Sequence, residues 1–329
     1  MARKSILVIV LTALMAAFAF LLCYSCGMRG CFPLDQSIVF DGGYRVLSGQ
    51  IPYKDFFIPF GPVILWMQAF FFRVFGVTYR AYAIHSATLN ALASISVFFI
   101  VRRVLSGQTL VALLAGLMTG CWFGSPFGTP WMEQTAFFFG LLALVPQVAG
   151  LTGVKTTRSR SILLALSGVA AALAFLSKQN VGLMVFPLLV FLPVAYWSKR
   201  VVLDGMYVLL GVLITTCLFL AWIKFQSDAD AFVLFFWKLP TSIGVSRLWS
   251  RGEFFEEAYN PLKAWVCGTG RWDGQRILPP PVRVANVAAF LMACAAAVTG
   301  MFRKGGPGKA RSLMLGAMIL YMLQMHYLF

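Results

Sequence analysis

The stretch Pro33–Gly76, PLDQSIVFDGGYRVLSGQIPYKDFFIPFGPVILWMQAFFFRVFG, separates the first long apolar segment from the second and carries Asp35, Asp41 and Asp55 of the chain's 11 acids. Asp35 precedes the apolar run Ile38, Val39, Phe40, and Gly49 follows the last periodic residues, so a short helix is expected from about Asp35 to Ser48, with Gly42-Gly43 weakening its middle. Pro59, Gly61 and Pro62 then break the chain, and Pro62 suits the first position of a second helix that ends at Gly76. That helix would be about 21 Å long, too short to cross a bilayer core of about 30 Å comfortably. It is therefore expected to lie on one leaflet or dip into it.

The composition around this stretch decides its surroundings. The chain is 60% hydrophobic and 12% charged, against about 25% charged residues in soluble domains. The longest polar stretch, 225–281, is itself interrupted by FVLFFW and by Pro279, Pro280 and Pro281, which leaves no room for a separate soluble domain. The expected fold is all-α: a polytopic transmembrane helical bundle, one domain over 1–329. Its apolar runs are Ile6–Leu22, Tyr79–Val101, Leu110–Trp122, Met132–Val148, Ile162–Leu176, Gly182–Trp197, Met206–Lys224, Val282–Phe302 and Ser312–Phe329, about nine spans. The first is expected to be an uncleaved anchor, since no small-x-small site follows it. Phe329 ends an apolar segment without a polar tail, so the chain is expected to be a piece incomplete at its C-terminus.

A net charge of +16 would ordinarily raise nucleic acid as a partner. Its distribution argues otherwise. With the 62–76 helix in the interface, the loops on one side hold Arg3/Lys4, Arg102/Arg103, Lys155/Arg158/Arg160, Lys199/Arg200 and Arg303/Lys304/Lys309/Arg311, against the single acid Asp204. Cations gather on the cytoplasmic side of a membrane protein, so this side is expected to be inner, and the excess is what orientation requires. If the 62–76 helix spanned, every later cluster would fall outside. The other side then carries nearly all the carboxylates, in an outer loop at about 25–78 with its interfacial helices, at Glu133, and in a second outer loop at about 225–281. The seven cysteines show no metal-ligand spacing, and Cys26, Cys31 and Cys267 fall in outer loops where pairing is open.

Four positions could carry chemistry. Asp35 suits either an N-cap or a catalytic carboxylate, and Asp41 is set to pair with Arg45 one helical turn on. Asp35 and Asp41 are about 600° apart around a helix and form a poor bidentate pair. Glu133, in GTPWMEQTAFFF, starts a span with no cation nearby in sequence; it needs a partner, a metal or a raised pKa, unless it simply faces water at the membrane edge. Lys178, in LSKQNVGLM, stands at the same side of another span, where snorkelling to the interface is the bland alternative.

The run LDQS, then YRVLSGQIPYKDFF, GP, the aromatic helix ending FRVFG, YRAYAIHSATL, PWMEQTAFFF, LSKQNVGL and FVLFFWKLP together resemble the GT-C membrane glycosyltransferases, in particular bacterial enzymes similar to aminoarabinose–lipid A and protein-mannosyl transferases. The resemblance implies a hexosyl- or pentosyl-transferase of a bacterial inner membrane. It would take sugar from a polyprenyl-phosphate donor and pass it to a lipid, glycan or protein acceptor on the extracytoplasmic face. It puts Asp35 at the catalytic aspartate of the first loop, Glu133 at an acid of the fourth span, and Lys178 at a lysine associated with the lipid phosphate. A phosphate leaving group calls for cations, which Arg80 and Arg247 could add to Lys178. Asp41, Asp55 and Lys54 are left as acceptor-side or structural residues. The family aspartate is often followed by Glu and here by Gln36, which leaves a divalent metal such as Mg or Mn open. Two other classes compete: a transporter or flippase of lipid-linked sugar, and a non-catalytic membrane subunit. The first would place ionisable groups near mid-membrane in matched halves, and the second makes no demand for Asp35, Glu133 and Lys178 together.

Overall fold

The computed structural model describes residues 2–30, 35–124, 128–154, 156–195 and 200–242. The expected spans at 282–302 and 312–329, most of the 225–281 loop, and Arg247 lie outside the described residues. The chain divides into two compact units, Met1–Val194 with Ser198–Phe236, and Ala195–Trp197 with Trp237–Phe329. The first unit is an all-α membrane bundle. Its helices are α1 (Ala2–Gly27), α2 (Asp35–Leu47), α3 (Val63–Phe75), α4 (Tyr79–Val104), α5 (Thr109–Trp122), α6 (Met132–Thr152), α7 (Thr157–Phe175), α8 (Gln179–Leu183), α9 (Val185–Ala195), α10 (Val201–Gln226) and α11 (Ala229–Phe232). A π-helical turn, Val233–Lys238, follows α11. In the second unit the described residues after Phe236 continue as helix to 242, where Thr241 Oγ1 donates to Trp237 O at 2.7 Å.

Among the described residues, five helical segments are long and apolar enough to cross a membrane: Ile6–Gly27, Tyr79–Val104, Met132–Thr152, Thr157–Phe175 and Val201–Gln226. The protein is an integral membrane protein. The most apolar windows of α4 and α6 are 67% and 72% buried, whereas those of α1 and α10 are 17% and 22% buried. The core is therefore built on α4 and α6, while α1 and α10 turn Leu14, Phe18, Leu21, Leu213 and Leu218 outward, as lipid requires. The expected span 182–197 is divided at Met184 into α8 and α9.

Polar side chains lock these apolar helices together. Asn90, fully buried on α4, donates to Ala19 O of α1 and Gly120 O of α5, both at 2.8 Å, and accepts from Gly124 N at 2.8 Å. One amide thus fastens three segments where no water competes. Gln147 of α6 reaches Leu189 O of α9 at 2.6 Å and accepts from Ser167 of α7 at 3.2 Å. The helices α7 and α10 are tied by Arg160, whose Nε and Nη2 grip both oxygens of the buried Asp204 carboxylate.

The contacts separate two ends. At one, Arg103 Nε donates to Thr152, Arg200 Nη1 to Thr157, and Arg160 meets Asp204, which gathers these cationic segments together. At the other, Tyr79 bonds Gly27 O, Tyr82 bonds Pro130 O, and the first loop meets the α7–α8 turn. The short helices α2 and α3 belong to this second, loop end. The glycines expected to weaken α2 have another use. A Cβ on Gly42 would stand 2.7 Å from Leu65 Cδ2, and one on Gly43 2.5 Å from Gln68 Cγ, so the pair lets α2 lie close against α3. Helix α3 buries Ile64, Leu65, Gln68 and Phe72 and exposes Phe70, Val74 and Phe75, an apolar outward face suited to a leaflet.

Candidate active site

Glu133 stands in the first turn of α6, where the helix dipole favours a carboxylate. Lys178 stands 45 residues later in the extended residue that precedes α8, its φ of −151° and ψ of 120° marking the break after α7. The fold brings the two together: Lys178 Nζ lies 3.3 Å from Glu133 Oε1, with the side chains 22% and 16% exposed. The partner that the Glu133 carboxylate requires is therefore a lysine from a different span. Its other oxygen, Oε2, is buried and accepts no hydrogen bond within the described structure. The pair is thus half satisfied: an ammonium with donors to spare and a carboxylate oxygen with an open acceptor.

The main chain around Lys178 is held by the first loop. Leu176 O takes the amide of Val63 at 3.5 Å, and Gly61 sits so close that a Cβ would fall 1.6 Å from that same carbonyl. Any side chain at Gly61 would drive the loop off the turn. On the other flank, Gln179 Nε2 donates to Pro59 O at 3.2 Å and also to Phe236 O. The loop segment 51–62 is in turn folded on itself. Tyr53 adopts a φ of 68°, its amide bonds Phe56 O at 2.8 Å, and its buried phenol donates to Phe60 O at 2.6 Å. Burial pushes this phenol well above its ordinary pKa.

Aromatic rings close the same region. Tyr53 meets Phe232 edge-on at 5.2 Å, Phe57 stacks on Phe235 at 5.0 Å, and Phe236 meets Phe175 at 5.7 Å. Ser227 Oγ donates to Pro52 O at 2.5 Å. Trp66 of α3 packs against Trp222 of α10 at 4.9 Å. The start of the second loop is in this way laid onto the first.

The other expected residues fall as follows. Asp41 pairs with Arg45 Nε at 2.6 Å on an exposed face of α2, the i,i+4 pair that the spacing implies. Arg45 also reaches Gln50 Oε1 at 3.2 Å and lies over the Phe56 ring at 5.6 Å. Asp55 accepts from Ile51 N at 2.7 Å and so closes a turn, and Lys54 beside it is exposed. Arg80 is exposed in the first turn of α4, at the loop end. Asp35 is the first residue of α2, and the position of its main chain there is what the structure describes of it. Among the described residues no group of three or more His, Cys, Asp or Glu could hold a metal ion. The described cysteines Cys23, Cys26, Cys121 and Cys217 are free, and Cys26 belongs to the last turn of α1 rather than to a loop.

One polar site had no counterpart in the sequence reasoning. His85 of α4 and Gln68 of α3, both fully buried, share a 2.8 Å contact through His85 Nδ1 and Gln68 Oε1, with the imidazole stacked on Phe71 at 4.7 Å. His85 Nε2 and Gln68 Nε2 are both buried without a hydrogen-bond partner. A histidine and a glutamine in neighbouring apolar helices were the signal that could have found it.

No curated protein sequence matches the chain. The crystal structure of ArnT from Cupriavidus metallidurans bound to undecaprenyl phosphate is similar in fold, with a TM-score of 0.53 at 16% sequence identity over 96% of this chain and 59% of that one. This chain thus spans well under two thirds of that protein's length. The family model of the dolichyl-phosphate-mannose-protein mannosyltransferases matches residues 59–225, from the Pro59 turn through α10, a stretch that includes Arg80, Glu133 and Lys178. With slightly more than half of its length matched, the chain belongs to the dolichyl-phosphate-mannose-protein mannosyltransferase family.

Proposed function

We propose that this protein is a membrane glycosyltransferase that uses a polyprenyl-phosphate-linked sugar donor and works at the loop end of the bundle, which faces away from the cytoplasm. The observation that carries the proposal is the Lys178–Glu133 pair, a part-buried cation and carboxylate set beside the first loop at one membrane edge. Membership of the mannosyltransferase family and the fold shared with an undecaprenyl-phosphate-bound protein support the donor class. In the reaction an acceptor hydroxyl oxygen attacks the anomeric carbon, and the bond from that carbon to the phosphate oxygen breaks. The bonding pair leaves with the lipid phosphate. Lys178, supplemented by Arg80 and Arg247, stabilises the charge that develops there. The hydroxyl proton passes to Asp35, the general base, which opens α2 at the same end of the bundle.

The acceptor is a lipid, glycan or protein hydroxyl outside the cytoplasm. Asp41 and Asp55, each engaged in a local contact, have structural roles in this scheme.

The test is transfer from a polyprenyl-phosphate sugar by the purified protein. Asn keeps a capping oxygen at nearly the volume of Asp but does not accept the proton, so Asp35→Asn is expected to slow transfer by about 10²–10⁴. Asp41→Asn, at equal thermal stability, should stay close to wild type. Near wild-type transfer by the Asp35 variant would remove it as the base, and absence of any transfer by the wild type with lipid-linked hexose or pentose donors would remove the function.

A further inference from the structure

Gln179 joins two separate segments at the candidate site. Its single amide nitrogen carries two N–H groups, and the two acceptors it meets, Pro59 O and Phe236 O, belong to the first loop and to the segment after α11. The residue is only half buried, and it follows Lys178 directly in the chain. On the other side of Lys178, Leu176 is pressed by Gly61 and takes the Val63 amide. The lysine is therefore clamped on both flanks, with Gln179 joining one flank to both loops. Pro59 O lies in the loop turn and Phe236 O in the π-helical turn, where Pro240, four residues on, brings no N–H.

We infer that Gln179 is a positioning residue for the donor-phosphate site: its amide holds the Lys178 main chain and the 232–236 segment against the Pro59 turn, and so sets where the Lys178 ammonium meets a phosphate. The inference rests on the proposed function through the role of Lys178. It assigns Gln179 no contact with substrate. A lysine on a loosened turn would still snorkel to the membrane edge, but it would meet the phosphate in many orientations rather than one, and the loss would appear in donor affinity.

The experiment is equilibrium binding of undecaprenyl phosphate to the full chain in detergent, for the wild type, Gln179→Leu, Lys178→Met and the double variant, with Gln179→Glu as a second substitution. Leu removes both donors at similar size. Glu keeps the length but turns acceptors toward two carbonyls. Losing two hydrogen bonds at a part-exposed site should weaken binding about five- to thirtyfold for Gln179→Leu, and at least as much for Gln179→Glu. In the Lys178→Met background the Leu substitution should add less than about twofold, because there is no longer an ammonium to position. A merely structural glutamine would cost the same factor in both backgrounds, and that result, or unchanged binding by both Gln179 variants, overturns the inference. Should Gln179→Leu fail to fold, the Gln179→Glu pair of backgrounds carries the same comparison. Failure of the wild type itself to bind would strike the proposed function first and the inference with it, whereas binding with additive effects strikes the inference alone.

Discussion

Removing one member of the Lys178–Glu133 pair should have opposite effects on ligand affinity depending on which member is removed. The pair lies at 3.3 Å with both side chains less than a quarter exposed. It is therefore worth more than an exposed ion pair, at up to about 1 kcal/mol, and less than a buried pair, whose breaking costs about 3–5 kcal/mol. A coupling of about 1–2 kcal/mol follows for a cycle of Lys178→Met, Glu133→Gln and the double variant in thermal unfolding. In phosphate binding the signs diverge. Lys178→Met removes a charge-assisted hydrogen bond of about 1.5–3 kcal/mol and should weaken undecaprenyl-phosphate binding about ten- to a hundredfold. Glu133→Gln removes the anion that competes for the ammonium and repels the phosphate, so binding should tighten, by about threefold to tenfold for unit charges about 6 Å apart at an effective dielectric of about 40–80. Titration of each purified variant at fixed ionic strength reads both effects. Equal weakening by the two variants would mean that Glu133 helps to hold the ligand rather than compete with it, and would refute the electrostatic account.

Two further outcomes test other levels of the account. Asn90→Leu preserves volume but leaves the amide of Gly124 and the carbonyls of Ala19 and Gly120 without their 2.8 Å partners; thermal unfolding in detergent should show a loss of about 2–4 kcal/mol, and an unchanged midpoint would show that the amide is not what fastens α1 and α5. Cysteines substituted at Lys54 and Arg271 should be labelled by an impermeant thiol reagent from outside intact cells, and those at Arg158 and Lys304 only from inside; outside labelling at Arg158 reverses the assigned orientation.

The parts of this fold written in local sequence were legible in it. The extent of α2, the break at Pro59–Pro62 and the Asp41–Arg45 pair depend on residues within one or two turns of each other, and they stand close to where periodicity and breakers put them. Glu133 and Lys178 were legible singly, as charges at the ends of two apolar runs. Their pairing was not, because it depends on α6 and α8 meeting across 45 residues of chain. The same holds for Gly42-Gly43. Read locally, two adjacent glycines weaken a helix; in the fold they let Leu65 and Gln68 approach α2, a fact of α3 rather than of α2. Tyr53 was hidden for another reason. A tyrosine at a φ of 68° runs against its local preference, and the hydrogen bonds to Phe56 and Phe60 and the contact with Phe232 hold it there.

These long-range contacts bear on why a loop can serve as a site at all. A loop lying on a bilayer gains little from the hydrophobic effect for its own order, since lipid receives its apolar residues as readily as protein does. Its geometry has to come from polar contacts and close backbone approach. The first loop has both: the Tyr53 phenol on Phe60 O, Ser227 on Pro52 O, Gln179 on Pro59 O, and Gly61 against Leu176 O. Each is made to main chain, which fixes backbone rather than a rotamer. From Gly61 the constraint passes into α3, and from α3 through the glycine contact into α2, the helix that Asp35 opens. The proposed base and the proposed phosphate cation are thus referred to one turn, Pro59–Pro62. An acceptor and a donor could be held in register there even though one group comes from the first loop and the other from the junction of α7 and α8.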